Sequence, residues 1–312
     1  MWKTGLINLK NGVYGYVQPN GSWFVGNSGL IVGKYWNVVV DSLSTGNQIK
    51  PYMELIHKTT ENPIRFVINT HLHADHVWTN HLFKGAMAIA HENNRKSVVK
   101  EKNDGTLEQF ARLMPELDFS ESMYLPQEIT INQNMTIYQD ERELRIIHIP
   151  EAHTVSDLIV HLPEEKIVYT GDILFSAPCT PFAMMGSITG NINALNLIKQ
   201  LKADIYVPGH GPISYGDGAI LEAIDYLKFI QRESKRFYES GEHDYLKAAL
   251  TIKLGKYSEW GDSERVIGNV ARAYSELKGE PPATPLPNTA ELFKIMIEHG
   301  REQKRINKEY DK

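Results

Sequence analysis

Four of the six residues in His71-Leu72-His73-Ala74-Asp75-His76 carry side chains that bind metals. Neutral imidazole and ionised carboxylate are ligands that zinc and iron accept, at about 2.0–2.2 Å from zinc. With only Leu72 and Ala74 as spacers, a tight loop can turn His71 and His73 toward one metal while Asp75 and His76 face a second. In a merely solvated loop, four such groups would desolvate one another's charge for no gain. One loop cannot close two metal sites, and further ligand-type residues follow downstream: His153, Asp172 and His210. Two divalent cations about 3.5–4 Å apart make hydroxide available near neutral pH, polarise a carbonyl and steady a leaving anion. The predicted reaction is therefore attack by a hydroxide bridging two zinc ions on an ester, lactone, thioester or amide carbonyl. Asp75 is the predicted catalytic residue, orienting that hydroxide and passing a proton to the leaving group.

Each ligand-type residue is expected at the end of a strand. The β-branched and apolar run Ile64 to Asn69 reads as a strand that delivers the first cluster onto a loop, and Val77 to Phe83 can open a helix. Leu144 to Ile149 precedes His153, Ile167 to Gly171 precedes Asp172, and Asp204 to Gly209 precedes His210. Gly171, Gly209 and Gly211 suit such places, because glycine permits positive φ and close backbone approach. Residues 1 to about 50 read as strands with hairpin turns, including Trp23 to Val32, and helices are expected over Gln48–Thr60, Glu92–Lys102 and Asn193–Leu201. Beyond Pro212 the pattern becomes helical over Gly218–Ser240, Tyr245–Leu254, Glu264–Leu277 and Thr289–Gly300, with a Pro-rich linker over 281–287.

The pattern resembles the metallo-β-lactamase-fold hydrolase superfamily. The matching positions run from Asn27-Ser28-Gly29-Leu30-Ile31-Val32 through Val38–Asp41, His71–His76, His153 and Asp172 to Pro208-Gly209-His210-Gly211, about two thirds of the chain. The resemblance implies a four-layer αβ/βα sandwich of the α/β class with the metals at one edge; with the helical stripes beyond Pro212, the chain is expected to divide into the sandwich over 1–215 and a C-terminal helical extension over 216–312. The resemblance also implies that His71, His73 and His153 hold one metal, that Asp75, His76 and His210 hold the other, and that Asp172 bridges both. In relatives the turn near Trp23 and Phe24 is a mobile flap, so these residues form either its apolar tip or the start of the next core strand.

The departures are informative. Many relatives carry a Gly-Gly pair where Trp78-Thr79 stand here, so packing behind the first motif must differ. The third motif reads Ala152-His153-Thr154-Val155-Ser156 where relatives often have Gly-His-Thr-x-Gly. One β-lactamase subclass has Cys at the place of Asp172 and a nearby Lys that grips the antibiotic's carboxylate; this chain has Asp172 followed by Ile173-Leu174-Phe175-Ser176. That weakens a β-lactam-hydrolysing reading.

With 312 residues and 42 % hydrophobic content the chain can bury one large domain with an extension. A formal net charge of −5 without a long basic run argues against nucleic-acid partners. The N-terminal residues lack a signal-peptide core and no stretch of about twenty apolar residues occurs, so a soluble cytoplasmic protein without membrane contact is expected. The single cysteine, Cys179, excludes an intramolecular disulfide and reads as a half-buried loop residue. Among the other histidines, His81 and His148 lie nearest the motifs and could bond the outer nitrogen of a metal ligand. The helical tail is expected to pack on the sandwich, capping the pocket or building a homodimer contact.

The substrate is expected to be a small molecule. Ala177 to Thr189 is apolar and should line one pocket wall, favouring a neutral or acyl-chain compound such as a lactone or ester over a phosphodiester. No Arg or Lys cluster sits near the motifs to hold a glutathione carboxylate, which disfavours the thioesterase branch. Two other readings compete. In one, a single iron held by His71, His153 and Asp172 oxidises persulfides, as in some superfamily members; in the other, the metal site is catalytically idle.

Overall fold

The computed structural model describes residues 2–310. Strand periodicity builds two sheets that face each other. The first has strands β1 (Gly5–Lys10), β2 (Val13–Val17), β3 (Ser28–Val32), β4 (Asn37–Val40), β5 (Ile64–Ile68), β6 (Met87–His91) and β7 (Ile129–Ile131), adjacent in chain order. The second comprises β8 (Met135–Gln139), β9 (Arg142–Ile149), β10 (Asp157–Leu162), β11 (Ile167–Phe175), β12 (Ile205–His210) and β13 (Ser214–Tyr215), in the order β13-β12-β11-β10-β9-β8. Pairings β4–β5, β5–β6, β6–β7 and β11–β12 are parallel.

Successive side chains on a strand point to opposite faces, and the cores sort accordingly. Val38, Val40, Ile31 and Ile68 face inward onto Leu158, Val160, Tyr169 and Val207 of the second sheet. Val39, Leu30 and Val67 face outward onto Ile49, Tyr52 and Ile56, which belong to helix α1 (Gly46–Thr59). The helix starts on a capping box between Thr45 and Gln48, as that Thr-x-x-Gln spacing dictates.

The outer face of the second sheet is covered by α5 (Ile188–Gln200) and, beyond the sandwich, by α6 (Gly218–Glu239), α7 (Tyr245–Thr251), α8 (Val266–Leu277) and α9 (Thr289–Tyr310), while α2 (Ala74–Val77), α3 (Glu92–Asn103) and α4 (Thr106–Leu113) follow the first sheet's parallel strands. The expected αβ/βα sandwich with C-terminal helices is what forms.

Several boundaries differ from expectation. Trp23–Gly26 lie outside any strand, and β3 begins at Ser28. Helix α5 begins five residues earlier than its apolar stripe suggested, because Ser187 caps it by accepting from the Gly190 N–H. Helix α9 runs ten residues further than Gly300, and α4 was not anticipated. Cys179 is buried rather than half-buried, its thiol pushed up to about 12 chiefly by burial.

Candidate metal centre

The loop after β5 places the first cluster. Asn69 Nδ2 donates to the His76 carbonyl at 2.7 Å, and Ser42 N–H reaches the same oxygen at 3.0 Å. Asp75 and His76 lie on α2 rather than on the loop, and the helix ends at Val77 instead of beginning there. The reason is Thr79, whose hydroxyl donates to Leu43 O at 2.8 Å and accepts from Leu43 N at 2.9 Å, pinning the chain to the β4 side. Trp78 is buried against Phe24, Phe119 and Tyr124, so the packing behind the motif does differ from a Gly-Gly pair.

Strand β11 continues through Asp172, where a turn had been expected, and its register against β12 shifts on both sides of Gly171. Gly171 has φ 51°, and a Cβ there would lie 2.5 Å from Thr70 Oγ1. A Cβ on Gly209 would lie 1.8 Å from Asp172 Oδ1. Both glycines are therefore required for the Asp172 carboxylate to sit between the sheets.

All seven ligand-type residues converge in two groups, His71, His73, His153 and Asp172, and Asp75, His76 and His210, each with its ligand atoms within 4.8 Å of one another. His73 Nδ1 is 3.1 Å from His71 Nε2 and 2.9 Å from His153 Nε2. His210 Nε2 is 3.2 Å from Asp75 Oδ2, and His76 Nε2 is 3.8 Å from Asp75 Oδ1. Asp172 faces both groups: Oδ2 lies 3.6, 3.4 and 3.3 Å from the Nε2 atoms of His71, His153 and His210, and Oδ1 lies 3.1 Å from His76 Nε2. Nitrogens bound tetrahedrally at about 2.0–2.1 Å sit about 3.3 Å apart, close to these spacings. His76 Nε2 and Asp172 Oδ1 are buried without a hydrogen bond, a costly state that a shared cation relieves. The residues therefore fit two metals.

The outer ring nitrogens are held. His76 Nδ1 meets Asp41 Oδ2 at 2.8 Å, His71 Nδ1 meets Thr70 Oγ1 at 3.0 Å, and His210 Nδ1 donates to the Gly21 carbonyl at 3.0 Å. His153 Nδ1 donates to the Phe182 carbonyl. Such contacts fix the tautomer that leaves the inner nitrogen free. Neither His81 nor His148 takes this role; His148 stacks on His91 at 3.9 Å. Asp41 ends the Val38-Val39-Val40 run, and that strand-end position is the signal by which the sequence could have singled it out, whereas a backbone carbonyl leaves no such trace.

Burial, reinforced by neighbouring imidazoles, pushes His73 down to about 3 and His153 down to about 4, so both are neutral at ordinary pH, as ligands must be. For His210 burial acts downward, but Asp172 and Asp75 outweigh it and raise it to about 9. For Asp172 burial acts upward, and His210, His76 and His71 outweigh it and hold the carboxylate ionised.

The family model of the metallo-β-lactamase superfamily matches residues 21–210, more than half of the chain. The chain belongs to that superfamily. It is 27 % identical over 188 residues to a hydroxyacylglutathione hydrolase of Pelagibacter ubique (strain HTCC1062), covering 58 % of this chain and 64 % of that protein, so the chain spans less than two thirds of this relative. Among solved structures, a stereoselective inverting sec-alkylsulfatase of Pseudomonas sp. superposes with a TM-score of 0.67 at 15 % identity over 88 % of this chain and 50 % of that one. A metallo-β-lactamase family protein of Thermus thermophilus gives 0.65 at 15 % identity over 87 % and 95 % of the two chains. These structural likenesses are of fold. With the two ligand groups, superfamily membership supports a metal-dependent hydrolase, and no described helix is long and apolar enough to cross a membrane.

Beside the two candidate ligand groups opens a cavity of about 560 Å³ that His73, Asp75, Asp172 and His210 line. Of the Ala177–Thr189 segment only Phe182 and Met185 reach it. More of the wall comes from Trp23 and Phe24, from Trp78, Tyr124 and Phe175, from α3 and α4, and from α9 through Thr289–Glu291, Phe293 and Lys294. The flap expectation thus splits: Trp23 and Phe24 do face the metal cavity, but they are anchored. Trp23 Nε1 donates to Glu264 Oε1 at 2.9 Å, and Phe24 packs on Phe110 and Phe119. Outside the Ala177–Thr189 segment the wall carries charge. Arg265, ninety-odd residues beyond Asp172 in sequence, lines it with its guanidinium 4.7 Å from the Trp23 ring centre.

Proposed function

We propose that the protein is a hydrolase using two zinc ions to cleave an ester, lactone, thioester or amide. The observation that carries the reading is the Asp172 carboxylate facing both ligand groups at 3.1–3.6 Å. In this assignment His71, His73 and His153 hold one metal, Asp75, His76 and His210 the other, and Asp172 both. Bound there, two divalent cations would lower the pKa of a water toward neutrality and polarise an acyl carbonyl.

Asp75 belongs to the second group and lines the cavity, so its carboxylate can orient the attacking water and carry a proton to the leaving group. Residues 1–215 supply the ligands, and 216–312 act as the extension that closes the cavity. The likeness to a hydroxyacylglutathione hydrolase keeps thioesters within the substrate class.

Elemental mass spectrometry on untagged protein, grown with zinc and iron, tests the reading. The expected result is about two zinc per chain, with hydrolysis across a lactone, ester and thioester panel that disappears on metal removal. About one iron per chain, with oxygen consumption on a persulfide, overturns it.

A further inference from the structure

One wall of the cavity carries no metal ligand and holds a carboxyl that the proposed hydrolysis does not use. Glu101, in the last turn of α3, lines the cavity and is half-buried. Its Oε2 accepts from the Tyr124 hydroxyl at 2.5 Å, and among the described residues it forms no ion pair. From Tyr124 the same cavity wall continues through aromatic rings: Trp78 lies 5.4 Å from Tyr124, and Phe110 lies 6.3 Å from Trp78. Burial pushes the carboxyl up to about 7, against the opposing effects of the Tyr124 bond and Lys100.

A carboxylate set in an aromatic wall without a counter-cation is costly unless a ligand supplies one. The cavity's own cations do not supply it. Arg265 is committed to the Thr180 carbonyl at 2.9 Å and Asp262 at 3.3 Å, while Arg112 and Lys294 are exposed. A carboxylate for N–H donors beside aromatic faces is the combination that recognises an alkylammonium group.

We infer that Glu101, with Tyr124, Trp78 and Phe110, forms a subsite for an ammonium group of the substrate, on a part of the molecule remote from the carbonyl that is cleaved. The substrate class is then an acyl compound bearing an aliphatic amine. This rests on the hydrolase reading for its carbonyl half only; the subsite itself is testable by binding.

Calorimetry on the zinc-loaded protein at pH 8 compares n-hexylammonium with 1-hexanol. The ammonium should bind about tenfold or more tightly, and Glu101→Gln, which keeps an acceptor for the Tyr124 hydroxyl, should bring the two affinities together. Tyr124→Phe, which keeps the carboxyl, should retain the preference. Equal affinities in the wild type overturn the inference, as does a preference that survives in Glu101→Gln, the result expected if the amine sat on a metal. If Glu101→Gln fails to fold, n-hexyltrimethylammonium, which has no lone pair for a metal, takes the variant's place: binding tighter than 1-hexanol supports the inference, and binding no tighter overturns it. In parallel, kcat/KM is measured for ethyl 6-aminohexanoate and ethyl heptanoate. Turnover of neither ester, nor of any member of the lactone, ester and thioester panel, alongside an intact binding preference rejects the hydrolase reading and leaves the subsite standing. Turnover of both without a preference in rate or binding rejects the subsite alone.

Discussion

Asp172 is the residue on which the centre turns, because its two oxygens face four imidazoles at 3.1–3.6 Å. Asp75 lines the same cavity but belongs to the second ligand group alone, which suits it to the proposed acid–base role. Asp75→Ala should lower kcat by about 10²–10⁴-fold, the usual worth of a positioned acid or base, while circular dichroism and thermal unfolding report an intact fold. Undiminished turnover would reject the role. Asp41 acts through His76, and it also accepts Thr70 N–H at 2.7 Å and the Thr70 hydroxyl at 2.8 Å. Asp41→Asn should weaken binding of one of the two metals by about 10–100-fold, read as metal retained after dialysis against graded chelator; retention of both at wild-type levels would rule it out. The ligand-type residues were legible because imidazoles and carboxylates at this density have no other physical use. Arg265 and Glu101 were not, because a single charged residue far along the chain carries no sign of which cavity it will meet.

At the scale of elements, close approach of β11 and β12 sets the carboxylate between the sheets. Gly209→Ala would put a Cβ 1.8 Å from Asp172 Oδ1, with the backbone of Gly171 and Asp172 at 2.8 and 2.9 Å behind it, so the carboxylate itself would have to move. The expected outcome is loss of bound metal and a destabilisation of about 1–3 kcal/mol from overpacking, measured by elemental analysis and urea unfolding. A variant with full metal content would show that the strands can separate freely. The strands were readable from their period: Val38, Val39 and Val40 alternate between two cores as β geometry requires. Helix ends were read less well, since tertiary bonds decide them. Thr79 bonded to Leu43 stops α2, and the Ser187 cap starts α5 early. Helix α4 was missed although Leu107, Phe110 and Ala111 all pack toward Phe24 and Trp78, because eight residues give too short a stripe for its period to stand out.

For the molecule as a whole, the C-terminal helices and the second sheet share one core. Ile159, Val168 and Tyr206 of the sandwich cluster with Leu227, Val270 and Met296 of the extension. Helix α8 is fastened to the segment after β11 by buried polar groups: Asn269 Oδ1 accepts Ala183 N–H at 2.9 Å, Asn269 Nδ2 donates to Pro181 O at 2.8 Å, and Arg272 Nε donates to Met184 O at 2.9 Å. Between Pro181 and Ala183 lies Phe182, whose carbonyl orients His153. The extension thus braces a candidate metal ligand through the segment after β11. Asn269→Ala strands a buried donor and a buried acceptor, at about 1–3 kcal/mol each, and releases the Phe182 carbonyl. It should lower stability and metal retention together. Because the core is shared, urea unfolding of the wild type followed by tryptophan fluorescence and by far-ultraviolet circular dichroism should give coincident transitions. If the extension were a separate unit, the helical signal would fall first, and Asn269→Ala would widen that gap while leaving the metals in place.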